Sequence, residues 1–216
     1  MGEVKNTPRD FSRGANLPPY YLSHVITVTS MTGAGSSSTL RALKEYLKGS
    51  AWQFASGGGI MREFAASIGM TIEEFSAHNL LNPNDGWDLK CDHELSARGR
   101  QNFTVIESRL SHAFVPHAYH VLLECDLAIR VSRRFNDLQK VTPNITSVDV
   151  AQMIEQRDHD DNERFEQLYP GCLWGSSDFN LVIDTGTHNP TDVAKLIMRR
   201  HEMWGRDNVN KLVESL

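Results

Sequence analysis

The 216-residue chain has little cysteine, no long apolar run and no excess of positive charge. Each shortage narrows what it can be. Its three cysteines, Cys91, Cys125 and Cys172, are scattered and odd in number. They supply neither a metal-binding spacing nor a disulfide framework, which points to a reducing compartment. No apolar stretch approaches the roughly 18 residues that mark a membrane span, and the opening MGEVKNTPRDFSRG has no hydrophobic signal core. The expectation is a soluble cytoplasmic protein without a membrane partner. A formal net charge of -5 argues against sequence-independent DNA binding. What is present is ordinary for a globular domain: 40% hydrophobic and 23% charged residues, enough to bury a real core.

Residues 1–22 are polar, carry Pro8, Pro18 and Pro19, and show no helical or strand period, so they read as a loose arm. From residue 23 to about 202 short apolar segments alternate with helical patterns. Strands are expected at Val25–Ser30, Trp52–Ser56, Phe103–Glu107, Leu127–Val131 and Asn180–Asp184. Between them Leu40, Leu43, Tyr46 and Leu47 make one apolar helical face, and Met61, Phe64, Ala65 and Ile68 another. Thr71 with Glu74 forms a capping box. Thr146 or Ser147 starts a helix through Val150 and Ile154, and Asn189-Pro190-Thr191-Asp192 is a strong helix start. Strands alternating with helices predict a parallel α/β sheet, whose ligands bind beyond the carboxyl ends of the strands. Residues 132–165 connect two strands by a polar excursion and read as a lid; 203–216 read as a C-terminal extension.

Four stretches carry candidate chemistry. The first is Ser30–Ser38. A strand, a glycine loop and a helix make the frame of the P-loop, G-x-x-x-x-G-K-[ST]. Aligned without gaps, the first Gly is Ser30, the second Gly35, the Lys Ser36 and the Ser/Thr Ser37. Backbone N–H groups at such a turn bind phosphate without any side chain, so Gly33, Ala34, Gly35, Ser36, Ser37 and Ser38 are the candidate cradle. A flexible serine–glycine turn is the plain alternative. The second is FASGGGIMREFA, where a strand ends at Ser56–Gly59 and a helix carries Arg62. Glycines admit a ligand close to the backbone, and an arginine one turn on can grip a phosphate bidentately.

The third is VIESRL. Glu107 ends an apolar strand, where a carboxylate is costly unless it meets a metal, water or cation. It can hold a Mg²⁺-bound water, and Arg109 enters the same cleft; a structural Glu–Arg pair is the alternative. The fourth is EQRDHDDNERFEQLY. Arg157 and Arg164 lie seven apart, on one helical face, placed to neutralise a triphosphate, although a solvated charged face is the commoner fate of such a run. His159 with Asp158, Asp160 and Asp161 does not read as a metal site, because consecutive residues point around the helix.

In order and spacing these stretches resemble the cytidylate kinases and cytidylate kinase-like proteins, over about residues 25–200. The matching segments are ITVTSMTGAGSSST, FASGGGIMREFA, VIESRL, EQRDHDDNERF and DFNLVIDTG. The resemblance implies a three-layer P-loop kinase fold: a five-stranded parallel sheet with helices on both faces and a helical lid. It implies transfer of the γ-phosphate of ATP, or another nucleoside triphosphate, to CMP, dCMP or a related small acceptor, with Mg²⁺ as cofactor. Residues 33–38 would bind the donor phosphates. Ser56, Gly58, Arg62 and Arg109 would face the acceptor, with Asp88 or Asp92, in DGWDLKCDHEL, at the position that reads the cytosine amino group. Arg157, Arg164 and Glu107 would be catalytic, and Ser37 and, through water, Glu107 would hold the metal. The chain would act as a monomer or homodimer.

The chain also departs from that pattern. The loop lysine is Ser36, "E-G-R" has become E-S-R, and SRRFNDLQKVTPNIT replaces the "R-x-x-R-I-x-x-R-E" stretch, leaving Arg133, Arg134 and Lys140. Arg41 lies more than one turn into the helix and is a poor substitute for the lysine; Arg133 or Arg134 could enter from the lid. Losing one preorganised donor costs phosphoryl transfer roughly 3–4 kcal/mol, so binding is more secure than turnover. The rival expectation is a nucleotide-binding sensor or scaffold that does not turn over.

Overall fold

A computed structural model describes residues 24–82, 85–171 and 175–214; the arm expected at 1–22 lies outside the described residues. Five strands form one sheet: β1 (Val25–Ser30), β2 (Gln53–Ser56), β3 (Thr104–Glu107), β4 (Tyr119–Glu124) and β5 (Leu181–Asp184), in the order β2-β3-β1-β4-β5. Every pairing is parallel. Helices α1 (Ser36–Tyr46), α2 (Gly57–Ser67), α3 (Ile72–Leu81), α4 (Trp87–Arg98), α5 (Ser111–Phe114), α6 (Leu127–Leu138), α7 (Ser147–Leu168) and α8 (Pro190–Glu214) cover it. This is the α/β P-loop kinase fold.

Alternation along β1 assigns its two faces. Ile26 and Val28 point into a core with Leu40 and Leu43 of α1 and Val193, Ile197 and Met198 of α8. Val25 points the other way, to Ala55, Ile60, Leu95, Ile106 and Leu110. On that second face Thr27 and Thr29 are fully buried and find partners: Thr27 Oγ1 lies 2.8 Å from His120 Nδ1, and Thr29 Oγ1 3.3 Å from Ser111 Oγ. Helix starts follow the local chemistry. Ser56, Thr71, Asp126 and Thr146 each accept a hydrogen bond from the first turn of their helix, and Asn189 Oδ1 accepts one from the Asp192 N–H.

One strand differs from the sequence expectation. The fourth strand is Tyr119–Glu124, and 127–131 is the first part of α6. The reason is local: Asp126 caps the start of α6 through the Ala128 N–H at 2.8 Å. The apolar run is also not strand-like in its burial, because its buried member is Arg130. The C-terminal stretch continues α8 without a break to residue 214, and Trp204 packs on Tyr119 and His201.

The strand order decides where a crevice opens. β1 has β3 on one side and β4 on the other. The chain leaves β1 for the β2 edge and later crosses from β3 to β4, so the connections diverge at the carboxyl end of β1. Loops that diverge in this way leave a ligand crevice, and the 31–35 loop lies there.

Candidate functional site

The loop after β1 is a cradle built on two left-handed glycines. Gly33 has φ 79° and Gly35 φ 96°, conformations that residues with a Cβ rarely adopt. A Cβ on Gly33 would also meet the Arg130 Cβ at 3.3 Å, so α6 packs directly on the loop. Gly35 caps α1, no side chain caps that helix, and its first turn holds no acidic residue. The leading N–H groups of a helix have no partner within it, so those of Ser36, Ser37 and Ser38 are available to an anion, with the positive end of the helix dipole behind them.

Thr32, at the crest of the loop, is held by the rest of the domain. Its N–H donates to Asp158 Oδ1 at 3.1 Å, its carbonyl accepts from Arg130 Nη1 at 3.0 Å, and its hydroxyl accepts from Arg109. Asp158 is buried and accepts also from Arg130 at 2.7 Å and Arg109 at 3.1 Å; Arg109 reaches Asp161 at 2.9 Å. Burial raises the pKa of the Asp158 carboxyl, but the bonds from Arg130 and Thr32 and the charge of Arg109 outweigh it and hold the group below the ordinary carboxylate range. One buried carboxylate thus ties α6, α7, the loop and the end of β3 together. Asp158 and Asp161 face this network, whereas His159 pairs outward with Glu163 and Asp160 with Gln156.

On the floor of the cleft, β3 ends at Glu107, in register with Ser56 of β2 and Val28 of β1. Burial raises its pKa; a hydrogen bond from Ser36 and the charges of Arg109 and Arg62 oppose that rise. The hydroxyl at the P-loop lysine position thus lies close enough to Glu107 to act on its carboxylate. Arg62 is exposed, and its Nη1 would lie 3.6 Å from a Cβ on Gly58. Ser56 uses its hydroxyl to cap α2, accepting from the Gly59 N–H at 3.0 Å. Ser108 Oγ is buried without a hydrogen-bond partner among the described residues.

Asp88 and Asp92 separate clearly. Asp92 accepts from Tyr169 Oη at 2.5 Å, and burial pushes its carboxyl up to about 7 against that bond. Asp88 has longer contacts, 3.7 Å to Arg164 and 3.5 Å to Asn79. The two α7 arginines also differ: Arg164 bonds Asp161 at 3.0 Å and reaches Asp88, while Arg157 is exposed and outside this network. They do not converge here, because Arg164 is drawn toward the two acids.

Thr32, Arg130 and Thr185 carry no distinct sequence signal, and Asp158 and Asp161 stand out there only as members of an acidic run that does not read as a metal site. Arg130 was hidden inside the stretch read as a strand. With 127–131 helical, Arg130-Val131-Ser132-Arg133 keeps the R-x-x-R spacing, so the departure from the family pattern begins only after Arg133.

No protein-family model matches this sequence. Over 180 residues the chain is 28% identical to an S-adenosylmethionine-dependent nucleotide dehydratase of Lacinutrix mariniflava, covering 82% of this chain and 36% of that protein. The chain thus spans about a third of that relative's length. It is 27% identical over 174 residues to a cytidylate kinase of Pyrococcus furiosus (80% of this chain, 85% of the relative). It is 27% identical over 179 residues to a cytidylate kinase of Archaeoglobus fulgidus (82% and 94%). Among solved structures, a protein from Eubacterium ventriosum superposes with a TM-score of 0.58 at 11% identity, covering 82% of this chain and 98% of that one. Shikimate kinase from Acinetobacter baumannii superposes with a TM-score of 0.54 at 16% identity, covering 84% and 96%. The class is therefore a kinase-like P-loop fold. Within it, this chain has distant sequence similarity to cytidylate kinases.

Proposed function

We propose that this chain is a cytidylate kinase-like phosphotransferase that moves the γ-phosphate of a nucleoside triphosphate, ATP by preference, to CMP, dCMP or a related small acceptor. The observation that carries the proposal is the glycine cradle Gly33–Ser38 with the uncapped start of α1, set at the carboxyl end of the sheet beside Glu107, Arg62 and Arg109. Similarity to cytidylate kinases and to part of a nucleotide dehydratase supports a nucleotide as the ligand. In this reading residues 33–38 take the donor phosphates and Arg62, beside Gly58, takes the acceptor phosphate. Asp88, whose carboxylate is less committed than that of Asp92, reads the amino group of the base. Arg157 and Arg164 reach the transferring phosphoryl group when the lid rearranges on its ligands.

Magnesium fits this site only as an ion carried in by the triphosphate. Mg²⁺ binds mainly through phosphates, water and one or two protein groups, so it needs no cluster of acidic side chains here. Ser37 and, through water, Glu107 would hold it, and when bound the ion neutralises phosphate charge. The residues themselves bind, orient and exclude water.

A second reading is favoured by one observation: Ser36 stands where a lysine is usual. A nucleotide sensor or scaffold without turnover would keep the cradle and lose the rate. A coupled assay of ADP release across a panel of nucleoside monophosphates separates the two. Saturable release that tracks one acceptor supports the kinase, and thermal stabilisation by nucleotide without release supports the sensor. Arg62→Ala should weaken acceptor binding about tenfold or more and leave donor binding within twofold by calorimetric titration. Equal loss of both affinities would remove Arg62 from the acceptor role.

A further inference from the structure

A P-loop without its lysine has neutral hydroxyls and backbone N–H groups to meet a highly charged donor. The basic side chains around the loop narrow the choice of a replacement. Arg130 is locked between Asp158 and the Thr32 carbonyl. Arg109 is engaged by Asp158 and Asp161. Arg41 bonds Ser38 Oγ at 3.2 Å on the exposed side of α1, Lys140 lies 3.5 Å from Asp137, and Arg134 is exposed.

Arg133 differs from all of these. Its Nη1 lies 3.7 Å from where a Cβ on Gly35 would stand, directly over the residue that opens α1. It is held there by neutral groups: Nη2 donates to the Thr185 carbonyl at 2.6 Å, and Nη1 to Thr185 Oγ1 at 3.2 Å and Cys125 Sγ at 3.5 Å. No carboxylate is among those partners, so among the described residues its charge is not spent on an ion pair. Thr185 Oγ1 in turn donates to the Ala34 carbonyl at 2.7 Å. One threonine after β5 therefore positions both the cradle and the guanidinium. The three bonds use both N–H groups of Nη1 and one of Nη2, leaving the second Nη2 N–H and Nε–H as donors, while the charge itself stands beside the start of α1.

We propose that Arg133 supplies, from α6, the positive charge on the donor phosphates that the P-loop lysine would otherwise supply from the start of α1. The inference rests on the kinase-like reading above and adds to it a donor-side residue. Arg130 and Arg133, three apart on one helix, divide the work: the first fastens the lid to the loop, and the second faces the ligand. The Ser36 hydroxyl is then left to act on the Glu107 carboxylate. Chemically the substitution favours a guanidinium. It stays charged when partly buried and can contact two phosphate oxygens at once, where a lysine offers a point charge.

Calorimetric titration with a non-hydrolysable nucleoside triphosphate and with a nucleoside monophosphate, both in Mg²⁺, tests this. Arg133→Gln keeps a neutral amide donor on a shorter side chain and removes the charge. It should weaken triphosphate binding about tenfold or more, lower its salt dependence, and leave monophosphate binding within twofold. Ser36→Lys should raise triphosphate affinity more in the Arg133→Gln background than in wild type, because the two cations would compete for one space. Triphosphate affinity within twofold of wild type in Arg133→Gln would overturn the inference while leaving the kinase-like reading in place. Equal gains from Ser36→Lys in both backgrounds would do the same. If the wild type binds neither nucleotide, the kinase-like reading fails and the inference with it.

Discussion

The two ends of the sheet solve different problems. At the amino ends of the strands, His24, Trp52, Phe103, Tyr119, His201 and Trp204 form one aromatic cluster: His24 stacks on Phe103 at 4.7 Å, and Trp52 and Tyr119 meet His201 edge-on. At the carboxyl ends, Arg109, Arg130, Asp158 and Asp161 interlock around a glycine loop. The aromatic end fastens α8 to the sheet with contacts that need no counter-charge. The charged end takes ions out of water, which is costly unless each keeps its partners. Such a network is poor evidence for stability and better evidence for geometry: it holds a loop whose backbone N–H groups must stay open to something else. The lesson is that the carboxyl end is stable only as a set, while the amino end can lose one member by degrees.

The largest effect that would break this contrast is Arg130→Ala. It leaves the buried Asp158 carboxylate with fewer partners and removes a bond to the Thr32 carbonyl. Such a change costs about 3–5 kcal/mol, read by denaturant unfolding. A loss below about 1 kcal/mol would mean that Arg109 alone suffices.

Between the two ends sits a pH-sensitive pair. Burial, reinforced by the charge of His112, lowers His120 to about 4, and burial lowers His112 as well. The unfolded chain takes up these protons near pH 6.5 and the native one does not. Stability is therefore full above about pH 6.5 and falls as pH drops toward 4, by up to about 3 kcal/mol. Thermal melting between pH 7 and 4 should show the fall, and His120→Gln should flatten it. An unchanged slope in that variant would assign the effect to other groups.

Trp204→Ala tests the amino end. Trp204 is half-buried against Tyr119 and His201, and truncating it should cost about 2 kcal/mol. Nucleotide affinity should stay within twofold, since the cluster lies at the opposite end from the loop; a larger drop would show that the two ends are coupled.

The smallest expected effect has the opposite sign. Burial raises Asp92 to about 7, so the native state holds its proton where the unfolded state has lost it. Its contribution is present at low pH and lost as pH rises from about 4 through 7. The shift removes roughly 4 kcal/mol at pH 8. Asp92→Asn, however, replaces a charged acceptor of the Tyr169 hydroxyl by a weaker neutral one, so the net gain expected is about 1 kcal/mol at pH 8, with none at pH 4. Destabilisation at both pH values would mean that the charged carboxylate matters more to Tyr169 than its burial costs.

What the sequence by itself determined is what local pattern can carry. The alternation of apolar segments with capped helices specified a parallel α/β protein, and Thr71, Thr146 and Asn189 marked helix starts through hydrogen bonds made within three residues. The glycines at 33 and 35 announced a loop that needs left-handed backbone, and Ser36 declared the missing lysine. The fourth strand was not legible, because Ala128, Ile129 and Val131 suit either period and only the Asp126 cap and the burial of Arg130 decide it. The clamp on Thr32 was not legible either. It joins residues 32, 109, 130 and 158, which have no short-range relation to one another, and their charges become informative only when folding removes water from among them. The same holds for Arg133 and Thr185: a guanidinium on α6 stands over Gly35 because β4 lies beside β1 and β5 beside β4, an order set by the sheet and by nothing in the neighbouring residues.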